Sequence, residues 1–258
     1  MAAGYVVCNE PSVIAGLAES MALLELVGCS GTPNAEDGAR VSGGTRLLEI
    51  IGSARSMLIV ERTMLNLLSH MSGIATATAE LVAIVKHAQG RARVACTRKT
   101  LPGLRYFEKK AVELGGGDTH RLRLDDAVLI KDNHLSLSGP LSDSVRTARS
   151  KVSFTRKIEV EVTERGQAVE AAKAGADIIL LDNMEPGEVR NTVSLLERKK
   201  LRSRILLEAS GRINKHNIAD YARTGVDVVS VGSITHSARS IDMSMDVKAV
   251  SARRRARS

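Results

Sequence analysis

Residues 97–134 read TRKTLPGLRYFEKKAVELGGGDTHRLRLDDAVLIKDNH, and the fold is decided by how charge and apolar runs alternate here. Arg98, Lys99, Arg105, His120, Arg121, Lys131 and His134 are spaced through the stretch, around Gly115-Gly116-Gly117. Apolar pieces of strand character separate them, at 93–96, 122–124 and 127–130. A cation that directly follows a buried apolar run sits at the mouth of a core and points at whatever lies there. Several such cations meeting in one place describe a site for a polyanion.

Downstream the period becomes regular. Strand-like runs end at Cys96, Leu124, Ile130, Val162, Leu181, Leu207 and Val231, with helical patterns between most of them. The spacing predicts a helix over 164–174, with Thr163 as N-cap and Gly175 just past its end. Another starts at Pro186 with Val189, Val193 and Leu196 on one face, and a third covers 217–223. Alternating β and α with nearly all-apolar strands (DIILLDN, DVVSVGS) means a parallel sheet covered by helices. Seven such strands are one short of a complete (β/α)₈ barrel. The expected fold class is therefore α/β, an incomplete seven-stranded TIM-like barrel preceded by a small domain.

Upstream, the pattern predicts a strand at 5–8, a helix over 11–28 and strands at 40–42 and 46–51. Two helices follow, 60–71 and 74–85, with Ser72-Gly73 as the joint. Periodicity alone makes Arg62 an early helical residue with an ordinary solvated charge.

With 258 residues, 43% hydrophobic and 26% charged, the chain has the composition of a globular protein of one large or two smaller domains. Its uncharged apolar runs fall short of a membrane span of ~20 residues. The opening MAAGYVVCNEPSVIAG lacks a basic segment followed by a long apolar core, so no signal peptide is expected. Cys8, Cys29 and Cys96 are scattered and form no C-x-x-C pair, which fits reduced thiols in a cytoplasmic protein. The net charge of +8 raises the question of nucleic acid. Four arginines of the tail SARRRARS supply half of that excess, and aromatics at 2% leave little for bases to stack on. No nucleic acid and no membrane are expected as partners.

In barrels of this type the chemistry sits at the carboxyl ends of the strands. Those ends carry Arg98 and Lys99, then Lys131-Asp132-Asn133-His134, Glu161, Asp182-Asn183, Glu208-Ala209-Ser210-Gly211 and Gly232-Ser233. The cations suit carboxylates or phosphates. Two carboxylates without a Cys or His set suit Mg²⁺, which usually arrives bound to phosphate. Glycine-rich ends let backbone N–H groups approach a phosphate. Together they describe a small dianion beside a Mg²⁺-bound pyrophosphate.

The chain resembles the quinolinate phosphoribosyltransferases of NAD biosynthesis over nearly its whole length. The resemblance rests on ERTMLNLLSHMSGIATAT at 61–78, TRKTLPGLR at 97–105, EKKAVELGGGDTHRLRL at 108–124, LIKDNH at 129–134, EVEV at 159–162, LLDN at 180–183, EASG at 208–211 and VGSITHS at 231–237. It implies that Arg62, Arg98, His120, Arg121 and Lys131 hold the two carboxylates of quinolinate. The residue matching Arg62 reaches into the partner subunit's site, which implies a homodimer or a multiple of dimers. Lys99 would bridge quinolinate and phosphoribosyl diphosphate (PRPP), Glu161 and Asp182 would face the ribose and Mg²⁺, and Ser210, Gly211, Gly232 and His236 would line the phosphate end. Lys99, Lys131, Glu161 and Asp182 are the implied catalytic set, with no organic cofactor. The implied layout is an open-faced α/β sandwich of residues 1–64, rejoined by 238–258, and a barrel of residues 65–237.

Two departures from the family pattern stand out. Members usually carry a further helix and turn ahead of Tyr5, and Arg212 follows Gly211 where a second glycine is usual. Two rival readings stay open. One is a related enzyme with a different acid, such as a nicotinate phosphoribosyltransferase or the molybdenum-transport-associated homologue. The other is a non-catalytic anion- or RNA-binding barrel, suggested by charge alone.

Overall fold

The computed structural model describes residues 1–250; the basic tail at 251–258 lies outside the described residues. The elements run β1 (Ala2–Cys8), β2 (Ser12–Val13), α1 (Leu17–Leu26), β3 (Ser30–Pro33), β4 (Arg40–Val41), β5 (Thr45–Gly52) and α2 (Ala54–His87). There follow β6 (Arg93–Ala95), α3 (Arg105–Leu114), β7 (Val128–Ile130), α4 (Asp132–Ser138), α5 (Leu141–Lys151), β8 (Ile158–Val162) and α6 (Arg165–Ala174). The rest are β9 (Ile178–Asp182), α7 (Pro186–Arg198), β10 (Leu206–Ser210), α8 (Ile218–Ala222), β11 (Val228–Ser230), α9 (Ser233–His236) and β12 (Met243–Ala249). The chain divides into two compact units.

The first unit comprises Met1–Ala79, Lys110–Gly116 and the carboxyl-terminal segment from Ser237. Its antiparallel sheet has the order β12-β1-β5-β3, with Tyr5 paired to Asp246 on one side and Glu49 on the other. Along β1 every second residue is buried, so Val6 and Cys8 join Leu48, Ile50, Met57, Met64 and Leu68 in one core. This period-2 burial is that of a sheet with one covered face.

Two sequence expectations fail in this unit. The helix expected over 11–28 begins only at Leu17, because Ser12 and Val13 pair with Val41 and Arg40. The carboxylate of Asp37 then accepts the N–H groups of Gly16 and Leu17 at 2.8 and 2.9 Å, a cap from a remote residue. The two helices expected around Ser72-Gly73 are one, α2, of 34 residues. Ser72 is a docking point: its hydroxyl accepts the Ala15 N–H at 3.0 Å, and the backbone at Arg239 and Ser240 lies where a Cβ on residue 73 would sit. Glycine is there for close approach, not for a break. By length and composition α2 is apolar enough to cross a membrane, yet 56% of its most apolar window is buried within the protein, as in a core helix.

The second unit comprises Glu80–Lys109 and Gly117–His236. Its sheet is entirely parallel, in the order β6-β11-β10-β9-β8-β7, with helices between successive strands. Pro186 opens α7, and Gly175 at φ 94° closes α6. The N-cap of α6 is Glu164 rather than Thr163, because Gln167 reaches back to the Glu164 N–H and makes a capping box there.

Among the described residues the parallel sheet has six strands. The expected strand at 122–124 does not form: Leu124 is exposed, and the Asp126 carboxylate ties up the N–H groups of Leu122 and Arg123 at 2.7 and 2.8 Å. An Asx-type turn outcompetes the ladder there. The place beside β6 is taken by Asp118, which makes an isolated parallel bridge to Ala95.

Candidate active site

The carboxyl ends of the parallel strands surround a cavity of about 300 Å³ in the second unit. It brings together Arg98, Lys99, His120, Arg121, Lys131, Glu161, Asp182 and Ser210. A second hollow of about 740 Å³ shares Lys99, Lys131, Glu161, Asp182 and Ser210, and adds Gly211, Gly232 and His236. Every expected site residue of this unit therefore lines one space or the other. Arg62 belongs to the first unit, exposed on α2 beside the exposed Leu58 and Ile59.

Two cations of the opening stretch do other work. Arg105 Nε donates to Thr100 Oγ1 at 3.1 Å in the first turn of α3, and His134 Nδ1 accepts the Lys131 N–H at 3.0 Å to cap α4. Gly116, at φ 84°, ends α3.

The cations are held unevenly. Arg98 Nε is buried and has no partner among the described residues. A buried guanidinium nitrogen without an acceptor is costly, and an incoming carboxylate supplies one. Burial, reinforced by the neighbouring Arg98, draws the pKa of Arg121 down from the usual arginine range, against the pull of Glu159. Both arginines thus gain from an anion between them. Lys131 Nζ is already paired with Glu161 Oε2.

His120 stands on carboxylates. Its Nε2 lies 3.2 Å from Glu208 Oε2 and 3.7 Å from Glu159 Oε2. Burial alone would lower its pKa, but the two adjacent carboxylates of Glu159 and Glu208 prevail and push it up to about 10. Burial and the adjacent Glu208 in turn raise the carboxyl of Glu159. Nδ1 meets the Arg121 backbone N–H at 2.7 Å, an acceptor geometry, so the extra proton is held by the group rather than by the ring alone.

Behind this turn stands Lys109, 2% exposed, whose Nζ donates to the Thr119 carbonyl and lies 3.4 Å from Cys96 Sγ. Burial lowers the pKa of Lys109 and raises that of Cys96. The roles of Glu159 and Lys109 were not drawn from the sequence. The run EVEV carried a signal for Glu159, since residues 159 and 161 share one face of β8. Lys109 left none among its charged neighbours.

At the other end, Asp182 Oδ2 accepts from Asn183 Nδ2 at 2.7 Å, and Gly211, at φ 101°, packs against Asn183 so closely that a Cβ would collide with it. Arg212 follows at φ 54°, a left-handed conformation that costs a non-glycine residue on the order of 1 kcal/mol.

Glu161 and Asp182 offer the oxygen donors that Mg²⁺ prefers. Among the described residues the tight His/carboxylate group is a different one, His120, Glu159 and Glu208. Its nitrogen donor and its place beside Arg121 suit Mg²⁺ poorly.

Comparison with known proteins places this geometry. The family description "Quinolinate phosphoribosyl transferase, C-terminal domain" matches residues 74–246, and the corresponding N-terminal domain matches residues 1–72. The chain belongs to the quinolinate phosphoribosyltransferase family. It is 49% identical over 243 residues to the probable nicotinate-nucleotide pyrophosphorylase [carboxylating] of Methanothermobacter thermautotrophicus, covering 94% of this chain and 87% of that one. The Mycobacterium leprae nicotinate-nucleotide pyrophosphorylase [carboxylating] is 42% identical over 250 residues, covering 95% and 86%. The crystal structure of NadC from Streptococcus pyogenes superposes with a TM-score of 0.89 at 40% identity, covering 96% of this chain and 86% of that one. Likeness to human nicotinic acid phosphoribosyltransferase, at 14% identity and a TM-score of 0.60, is one of fold alone.

Proposed function

We propose that the chain transfers the phosphoribosyl group of PRPP to the ring nitrogen of quinolinate and releases the C2 carboxylate as CO₂, yielding nicotinate mononucleotide and pyrophosphate. Family membership and the relatives' names support the reaction. The observation that carries it at this site is the half-buried Arg98 with its unpartnered Nε, close to Arg121 and Lys131 around one small cavity.

In this reading Arg98, Arg121, His120 and Lys131 grip the two carboxylates, and Lys99 spans the two substrates. They position and desolvate the dianion rather than act as bases. Glu161 and Asp182 face the ribose and steady the positive charge that develops at C1′ as pyrophosphate leaves. Ser210, Gly211, Gly232 and His236 take the phosphate end. Glycosylation makes the ring nitrogen cationic, so the adjacent positive charge stabilises the electron pair left at C2 as CO₂ departs, and a proton from water then takes that pair to form the C2–H bond. Mg²⁺ fits the carboxylate oxygens of Glu161 and Asp182, and when bound it supplies charge to the leaving pyrophosphate.

The finer architecture belongs to the same reading. The seven-stranded barrel is completed by the segment at Asp118, whose bridge to Ala95 supports it. The barrel takes residues 65–237, and residues 1–64 with the returning carboxyl-terminal strand form the small domain. The enzyme is a homodimer in which Arg62 serves the partner's site. Leu58 and Ile59, 63% and 64% exposed beside Arg62, support a covered face there. Three buried free thiols agree with a cytoplasmic location.

Incubation with quinolinate, PRPP and Mg²⁺, following pyrophosphate and CO₂, tests the proposal. Appearance of both products is expected, and formation of neither ends it.

A further inference from the structure

Beneath the cations lies a set of side chains that gripping an anion does not itself require. Glu159 is 0% exposed, and neither of its carboxylate oxygens has a hydrogen-bond partner among the described residues. Glu208, 2% exposed, accepts the Ser230 hydroxyl on Oε1 and presents Oε2 to His120. These three come from β8, β10 and β11, the rigid part of the unit. His120 comes from the irregular segment after α3 and holds φ 51°, a conformation that persists in a non-glycine residue only where its surroundings impose it. Its N–H is fixed by Asp118 Oδ1 at 2.8 Å, and its Nδ1 receives the Arg121 N–H. The imidazole is thus a strut between the sheet and the backbone that carries Arg121.

Charge gives the strut a purpose. With no anion bound, Arg98, Arg121 and Lys131 repel one another across one small cavity, and arginine side chains so placed relax toward water. Buried carboxylates below them supply countercharge that cannot leave, because strand backbone holds it. The cations then face the cavity before the substrate arrives, which lowers the ordering cost of binding.

We propose that Glu208 and Glu159, steadied by Ser230, form an acidic floor that positions the His120–Arg121 pair for the dicarboxylate. The floor lines the bottom of the same cavity and acts by holding those two residues. This rests on the quinolinate reading above.

The test is steady-state kinetics of the full chain with each substrate varied in turn. Glu208→Ala should raise KM for quinolinate about tenfold or more, the usual consequence of removing a charged partner from a buried group. KM for PRPP should stay within about twofold, because the floor serves only the acid end. Glu208→Gln keeps an acceptor for Nε2–H and should recover most of the loss. Ser230→Ala, which deletes one hydroxyl and folds whatever becomes of Glu208→Ala, should raise KM for quinolinate about threefold. Equal rises in both KM values, a loss confined to kcat, or Glu208→Gln as poor as Glu208→Ala would overturn the floor. So would tight one-to-one binding of Zn²⁺ or Mn²⁺ alone that Glu159→Gln abolishes, since the bare oxygens would then be metal ligands. If the parent chain shows no turnover, the assigned reaction fails by itself. Calorimetric titration with quinolinate alone and PRPP alone then makes the same comparison on binding.

Discussion

Arg98 and Arg121 differ from the other described arginines in what surrounds them, and that difference can be measured. Lysine at position 98 would keep the charge but lose the planar fork and the buried Nε. Arg98→Lys is expected to raise KM for quinolinate by about tenfold or more in initial-rate assays, with thermal stability unchanged. His120 gives a pH signature. Its pKa lies at about 10 in the folded chain against an ordinary 6.5, so its contribution to stability is full below 6.5 and is lost as pH rises through about 10. In denaturation experiments, the gap in melting temperature between the parent and His120→Asn should therefore narrow from pH 6 to pH 10. A constant gap would mean that His120 is not a charged partner of Glu159 and Glu208. At this scale the order TRKT, GGG, HR, KDNH brought out the cations that the structure brings together. What it concealed was depth. Glu159 and Glu161 are two residues apart on one face and both line the cavity, yet Glu159 is fully buried and Glu161 is partly exposed.

Elements were legible where a pattern is local and obscure where a partner is remote. The strands β8 to β11 stood out because continuous apolar runs require covered faces. The cap that starts α1 comes from Asp37, twenty residues away from Leu17, and no window on the helix includes it. Ser72-Gly73 looked like a joint because glycine and serine usually mark one, whereas the reason for both lies at Ala15 and Arg239. Gly73→Ala is accordingly expected to destabilise the chain by about 1–3 kcal/mol, seen as a lower melting temperature, because the added methyl meets backbone that cannot step aside. Replacing the exposed Leu124 by Ser should change stability by less than about 0.5 kcal/mol, as expected off the sheet. A loss of several kcal/mol there would restore the strand that the turn at Asp126 displaces.

For the whole molecule, the proposal that Arg62 serves a partner's site predicts complementation. Arg62→Ala and Lys131→Ala should each lose nearly all activity, while mixed and exchanged subunits regain part of it through one repaired site per pair. No recovery after exchange has been verified would place Arg62 in its own chain's chemistry. Deleting residues 252–258 should leave turnover intact, whereas a nucleic-acid binder driven by that tail would lose affinity and its salt dependence. The pairing of β1 with β12 also sets a timetable. Ala2 lies opposite Ala249, so β1 leaves the ribosome long before the strand that closes its outer edge. Throughout synthesis that edge presents bare N–H and C=O groups, and a nascent chain stalled before Met243 would be a template for sticking to its neighbours.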